Sequence, residues 1–145
     1  YAVQIQKKPT LGICLGMHLL FDYSEEKTKT DGLGWIPGKV EYLEPKGTLR
    51  VPHVGWNTLR VNTNDKLFGL LGDNKDFYFV HSLHAICDDC YILAHFDYGG
   101  LTTAAVKKDN VIGMQFHPEK SHHNGLILLK SFFEWATSYM DHQHA

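Results

Sequence analysis

Short apolar runs separated by glycine-containing turns make up most of the chain, and only two stretches carry a helical period. Thr10–Cys14 (TLGIC) reads as a buried strand running into a glycine turn. Met17, Leu20 and Phe21 then recur three and four apart, which predicts a helix over about Leu15–Ser24. Gly32–Gly38 (GLGWIPG) is punctuated by Gly and Pro and is expected to be irregular. Strands rich in Val, Tyr and Phe are predicted at Lys39–Leu43, Leu49–Pro52, Thr58–Val61, Phe77–His81, Tyr91–Asp97, Thr102–Lys107 and Val111–Phe116. Asp109-Asn110 between the last two has the form of a hairpin turn. Leu126, Leu129, Phe133, Ala136 and Met140 mark a closing amphipathic helix over about Gly125–Tyr139, packed by that face on a sheet, with Ser121 or Asn124 as its cap. Strand, turn and helix, then many strands, then a helix suit a three-layer α/β sheet better than a barrel or a sandwich.

Composition narrows the partners. The 145 residues are 43% hydrophobic and 21% charged, the profile of a single soluble globular domain, 1–145. A net charge of -2 supplies no basic field for nucleic acid or an anionic membrane. No apolar run approaches the ~18–20 residues that span a bilayer. Tyr1–Pro9 lacks the apolar stretch of a secretory signal, and three Cys is too sparse for a disulfide framework. A reducing compartment, the cytoplasm, is the expectation.

Gly12-Ile13-Cys14-Leu15-Gly16 has the form of a nucleophile elbow with Cys at its centre. In such a turn flanking glycines relieve clashes around a strained residue, and the sulfur is lifted to a helix N-terminus. The free N–H groups there are expected to favour thiolate and lower its pKa, and the Leu15 N–H is placed to donate to an oxyanion. A buried structural Cys fits the same five residues, since free Cys is often core.

His117-Pro118-Glu119 supplies the complement. Pro118 pushes His117 to an extended conformation, where residues two apart point to one side. The Glu119 carboxylate would then hold the His117 imidazole in a useful tautomer, the base and orienter of a nucleophilic triad. A solvated charge pair at a strand end is the plainer reading of these three residues alone.

Five segments together resemble the class I (triad) glutamine amidotransferases: Leu11–Met17 (LGICLGM), Gly32–Gly38 (GLGWIPG), Val51–Asn57 (VPHVGWN), Tyr78–Ser82 (YFVHS) and Phe116–Ser121 (FHPEKS). Within that class the middle three are most similar to the glutaminase subunits of imidazole glycerol phosphate synthase. The resemblance implies a flavodoxin-like α/β sheet, Cys14 as nucleophile, His117 as acid/base and Glu119 as its orienter. It implies substrate glutamine held at Leu15, His18 and the main chain of His81, Ser82 and Leu83. No cofactor or metal is implied. It also implies a (β/α)8 cyclase subunit as heterodimer partner in histidine biosynthesis, with Lys120, Pro52, His53, Trp56 and Asn57 at or near the interface.

The chain departs from that pattern in places. His18 stands where the family has Gln, and an imidazole cannot donate and accept in one plane as an amide does, so weaker glutamine binding is expected. Leu83-His84 replaces two tyrosines, and His122-His123 replaces a small or acidic stretch. These changes keep open a related subunit feeding ammonia to a sugar-modifying enzyme of surface polysaccharide synthesis, or a catalytically impaired module that still binds a partner. The strand carrying Cys14 would ordinarily follow further βα units, including a glycine-rich loop with a second oxyanion donor whose loss costs ~10²–10³ in rate. Lacking those N-terminal βα units, the chain is a fragment of a longer product, or is completed by another chain, or is a degenerate remnant; a fragment is the favoured expectation. Cys87-Asp88-Asp89-Cys90 with His84 and His95 lacks the ligand geometry of a zinc site and the helix N-terminus of a redox pair, so it reads as a surface loop. His142-Gln143-His144 reads as a polar end.

Overall fold

A computed structural model of the chain describes residues 1–61 and 64–143. His144 of the polar C-terminal end lies outside them. The elements in order are β1 (Thr10–Ile13), α1 (Leu15–His18), β2 (Tyr23–Ser24), β3 (Thr30–Asp31), β4 (Gly38–Tyr42), β5 (His53–Thr58), β6 (Arg60–Val61), β7 (Asp76–His81), β8 (Leu83–Cys87), β9 (Ile92–Asp97), β10 (Leu101–Lys108), β11 (Val111–Met114) and α2 (His122–Gln143). Short 3-10 turns occupy Lys66–Phe68, Asp89–Tyr91 and Pro118–Lys120.

The central sheet runs β1-β11-β10-β9-β6, parallel between β1 and β11 and antiparallel elsewhere. Its inner strands β9, β10 and β11 are largely buried, and each sends side chains into two cores. On one face Ala105, Ile112 and Met114 pack with Phe77, Phe79 and Phe96 and with Leu128, Phe132 and Ala136 of α2. On the other, Val106 and Val111 pack with Met17 and Leu20 beside α1 and with Val40, Leu83 and Ala85 of β4 and β8. The layers are therefore α2 with the β5-β7 ribbon, the central sheet, and the four-stranded sheet β3-β2-β4-β8 with α1. The three-layer α/β expectation holds, with a second sheet forming much of one outer layer.

Several local expectations change. The predicted helix over Leu15–Ser24 ends at His18, because carbonyls that would continue it are taken by the next glycine turn. Leu33 N–H bonds Leu19 O, Trp35 and Ile36 N–H bond Leu20 O, and Gly34 N–H bonds Phe21 O. A Cβ at Gly32 would sit 2.1 Å from Phe21 O, so only glycine lets that segment approach. Leu49–Pro52 is not a strand; the strand starts at His53 and pairs with β7 from His53↔His81 to Thr58↔Asp76. On β5 the polarity is inverted, with His53 buried and Val54 and Trp56 exposed, which hid it from a pattern search. α2 is longer than expected and turns a partly different stripe to the core, sharing Ala136 with the expected one. Gly125, Leu128, Phe132 and Ala136 are buried, whereas the predicted Leu126 and Phe133 are 69% and 65% exposed. Both stripes are apolar, and periodicity alone cannot choose between them.

Candidate active site

Cys14 sits at the turn between β1 and α1 with φ 52° and ψ -106°, a conformation that L side chains rarely adopt. Two constraints hold it there. Its N–H bonds Met114 O at 2.7 Å, extending the β1-β11 ladder by one residue. Behind it, a Cβ at Gly12 would lie 2.5 Å from Gly16 O, so the tight elbow requires glycine at 12. Gly16 differs: a Cβ there meets nothing within 4 Å.

The sulfur is half-buried. It donates to Val80 O of β7 at 3.7 Å and receives the Gln115 amide Nε2 at 3.8 Å. Burial pushes the Cys14 thiol above its ordinary pKa, opposed by the Leu15 N–H and the Gln115 amide; Glu119 adds to the rise and Lys120 opposes it. The lowered pKa expected from a helix N-terminus is therefore not found. A four-residue α1 has little dipole to set against desolvation. The resting group is a thiol, and a base must take its proton before it attacks.

That base candidate leaves β11 two residues beyond the position opposite Cys14. His117 is extended at φ -103° and ψ 94°, and the chain then turns through Pro118–Lys120 rather than continuing as a strand. The pair with Glu119 is thus made around a turn, not along an extended segment: His117 Nδ1 lies 2.5 Å from Glu119 Oε1. An ionised carboxylate only accepts, so Nδ1 carries the hydrogen and Nε2 is left as the basic nitrogen. Tyr78 of β7 anchors the turn, its O accepting from His117 N–H at 2.9 Å and its N–H donating to Ser121 Oγ at 2.9 Å. The predicted cap Ser121 accepts the first helical bond of α2 through its carbonyl, while its hydroxyl ties this turn. Cys14 Sγ and His117 N–H meet carbonyls two residues apart on one edge of β7, about 7 Å along a strand. β7 therefore brings the elbow and the His117–Glu119 pair to one place.

Of the residues expected to hold glutamine, Leu15 and His18 sit on α1 beside the sulfur. Both line an open cleft of about 440 Å³ whose rim carries Glu26, Lys27 and Asp31. His18 is buried, its Nε2 lies 2.8 Å from Gln115 Oε1, and burial lowers its pKa. Ser82 O accepts from Leu43 N–H, which fixes the corner between β7 and β8. Gln115 was missed by motif reading; it is a fully buried amide just before Phe116, and a polar residue inside an apolar run was its only signal.

His81 faces the core rather than the cleft. Its Nδ1 lies 2.7 Å from Leu83 O, which can only accept, so its Nε2 is the acceptor for His53 Nδ1–H at 2.9 Å. His53 also stacks on Phe79, Phe96 and Tyr98. Burial holds both imidazoles neutral, with pKa values lowered to about 4. An unfolded His gains a proton near pH 6.5 and the folded pair near 4, so stability is full above 6.5 and lost as pH falls toward 4. At pH 5 the pair should cost ~2–4 kcal/mol, a drop of about 5–10 °C in Tm from pH 7, measured by thermal denaturation. His53→Phe with His81→Leu should flatten that slope.

Among the residues expected at an interface, Lys120, Pro52 and Trp56 are exposed, and Asn57 donates its amide to Asp97 O. His53 is 4% exposed and offers no surface. Cys87 ends β8 half-buried, its pKa raised by burial to about 11, and Cys90 is exposed in the Asp89–Tyr91 turn capped by Asp88. Among the described residues no group of three or more His, Cys, Asp or Glu is placed to hold a metal ion.

The family model described as glutamine amidotransferase class-I matches residues 1–135. The chain belongs to the class-I glutamine amidotransferase family. It is 59% identical over 133 residues to imidazole glycerol phosphate synthase subunit HisH 2 of Vibrio vulnificus (strain YJ016), covering 92% of this chain and 62% of that protein. It is 48% identical over 134 residues to the HisH subunit of Leptospira interrogans, covering 90% and 65%. The chain thus spans less than two thirds of the length of these curated relatives. A glutamine amidotransferase crystal structure from Thermotoga maritima superposes with a TM-score of 0.57 at 18% identity, over 98% of this chain and 52% of that one, and carries the fold alone. The elbow and the His117–Glu119 turn both lie within the matched region. No helix among the described residues is long and apolar enough to cross a membrane.

Proposed function

We propose that this chain is the catalytic part of a glutaminase subunit, hydrolysing glutamine to glutamate and ammonia for an imidazole glycerol phosphate synthase. The observation that carries it is the strained Cys14 elbow tied to the same β7 edge as the His117–Glu119 pair. The Vibrio and Leptospira names supply the synthase.

His117 Nε2 takes the Cys14 proton, and the sulfur attacks the side-chain carbonyl carbon of glutamine. The Leu15 N–H stabilises the oxyanion. The imidazolium returns its proton to the departing nitrogen, releasing ammonia and leaving a γ-glutamyl thioester. Water, deprotonated by His117, then attacks the thioester, and glutamate leaves with the thiol restored. Glu119 holds the tautomer and stabilises the imidazolium throughout. The cleft beside Leu15 and His18 offers the Glu26 carboxylate and the Lys27 ammonium, the complement of an amino-acid zwitterion. The setting is the cytoplasm, with a (β/α)8 cyclase seated against exposed Lys120, Pro52 and Trp56 and against Asn57.

Glutamate release in the full-length product, with the cyclase and its acceptor substrate added, tests this directly. Stimulation by the partner is expected, and Glu119→Gln should lower kcat by ~10²-fold or more with KM little changed. No turnover with any cyclase-type partner would overturn the assignment.

A further inference from the structure

The side chain of Gln115 has no place in the steps above, yet it is 0% exposed and lies between two groups that have one. Its Nε2 faces Cys14 Sγ at 3.8 Å and its Oε1 faces His18 Nε2 at 2.8 Å. Both contacts end in the elbow region, from a residue whose backbone N–H is already locked to Ala104 O at 2.8 Å. We propose that Gln115 is a thiolate-stabilising catalytic residue and that His18 is a positioning residue that fixes its amide.

An amide turned the other way would aim its oxygen lone pairs at the sulfur and oppose thiolate formation. Neutral His18 with its hydrogen on Nε2 donates to Oε1, which leaves only the NH2 end for Cys14. When His117 removes the thiol proton, the Gln115 N–H···S contact becomes charge-assisted and strengthens. Val80 O, which the thiol addresses at 3.7 Å, then loses its donor, so the Gln115 amide is the side-chain contact that favours the charged form. A Gln amide at position 18 can give the same hydrogen, so His18→Gln keeps the donor to Oε1.

This inference rests on Cys14 being the nucleophile, but its test does not need turnover. The rate of Cys14 alkylation by iodoacetamide, followed by peptide mass spectrometry across pH without glutamine, gives the thiol midpoint, and Cys87 in the same digest is the internal control. Gln115→Met should raise the Cys14 midpoint by about one pH unit, and Gln115→Glu by more. His18→Leu should raise it as well, and His18→Gln should restore it. The Cys87 profile should not move. An unchanged Cys14 midpoint in a folded Gln115→Met or Gln115→Glu protein overturns the proposal, as does an equal shift at Cys87. Should Gln115→Met fail to fold, the Glu variant and the His18 pair decide by the same readout. In the full-length product Gln115→Met should lower kcat with little change in KM; a midpoint shift without any glutaminase activity in the wild type would sink the functional assignment and leave the thiolate contact standing.

Discussion

Cys14→Ser should lower glutamine hydrolysis by at least ~10³-fold in the full-length product while leaving its thermal midpoint nearly unchanged. The two halves of that expectation have separate origins. A serine hydroxyl at the same place is far less acidic than a thiol, and even the thiol is held above its usual pKa by burial. The partners that assist the sulfur, Leu15 N–H and the Gln115 amide, cannot make up that difference for an alkoxide. Stability is another matter, because Cys14 is held by backbone. Its N–H bond to Met114 O and the Gly12–Gly16 approach do not involve the sulfur. Glutamate production and a melting curve on the same preparation check both halves.

Gly125→Ala should be the most damaging small substitution outside the elbow. A Cβ at Gly125 would lie 1.7 Å from Pro118 O and 2.8 Å from its carbonyl carbon, both backbone atoms that cannot rotate away. The first turn of α2 must therefore lift off the Pro118–Lys120 turn, with a loss of ~2–4 kcal/mol and a fall in Tm of about 5–12 °C. The same displacement moves the His117–Glu119 pair relative to β7, so activity measured well below the new Tm should fall as well. Gly16→Ala is the matched control for stability: its Cβ meets open space, and Tm should hold or rise slightly.

The chemistry-bearing segments were legible in sequence because their constraints are local. Gly12 and Cys14 specify the elbow through one tight backbone approach, and Pro118 holds His117 extended at the start of the Pro118–Lys120 turn. Most of the central sheet was legible too, since Tyr91–Asp97, Thr102–Lys107 and Val111–Phe116 are runs rich in buried apolar residues. What escaped depends on distant partners. The end of α1 is set by amides of Leu33 to Ile36 that take the Leu19–Phe21 carbonyls just beyond it, which no window around Leu19 reveals. The stripe that α2 buries also seats Gly125 against the Pro118–Lys120 turn, a close approach that hydrophobic periodicity does not reveal. His53 looked like an interface residue and lies in a buried ring cluster, bonded to His81 across the β5-β7 ribbon. The Cys14 pKa was misjudged for the same reason: an elbow suggests a helix dipole, but burial against β7 and β11 outweighs four residues of helix.

If Cys14 is the nucleophile of an assembled glutamine site, a reactive glutamine mimic must find it there. An electrophilic glutamine analogue, incubated with the full-length product and its cyclase partner and followed by peptide mass spectrometry, tests it most directly. Covalent labelling at Cys14, suppressed by excess glutamine and lost in His117→Ala, is the predicted result. Labelling confined to Cys87 or Cys90, or labelling at Cys14 that glutamine does not suppress, would contradict it.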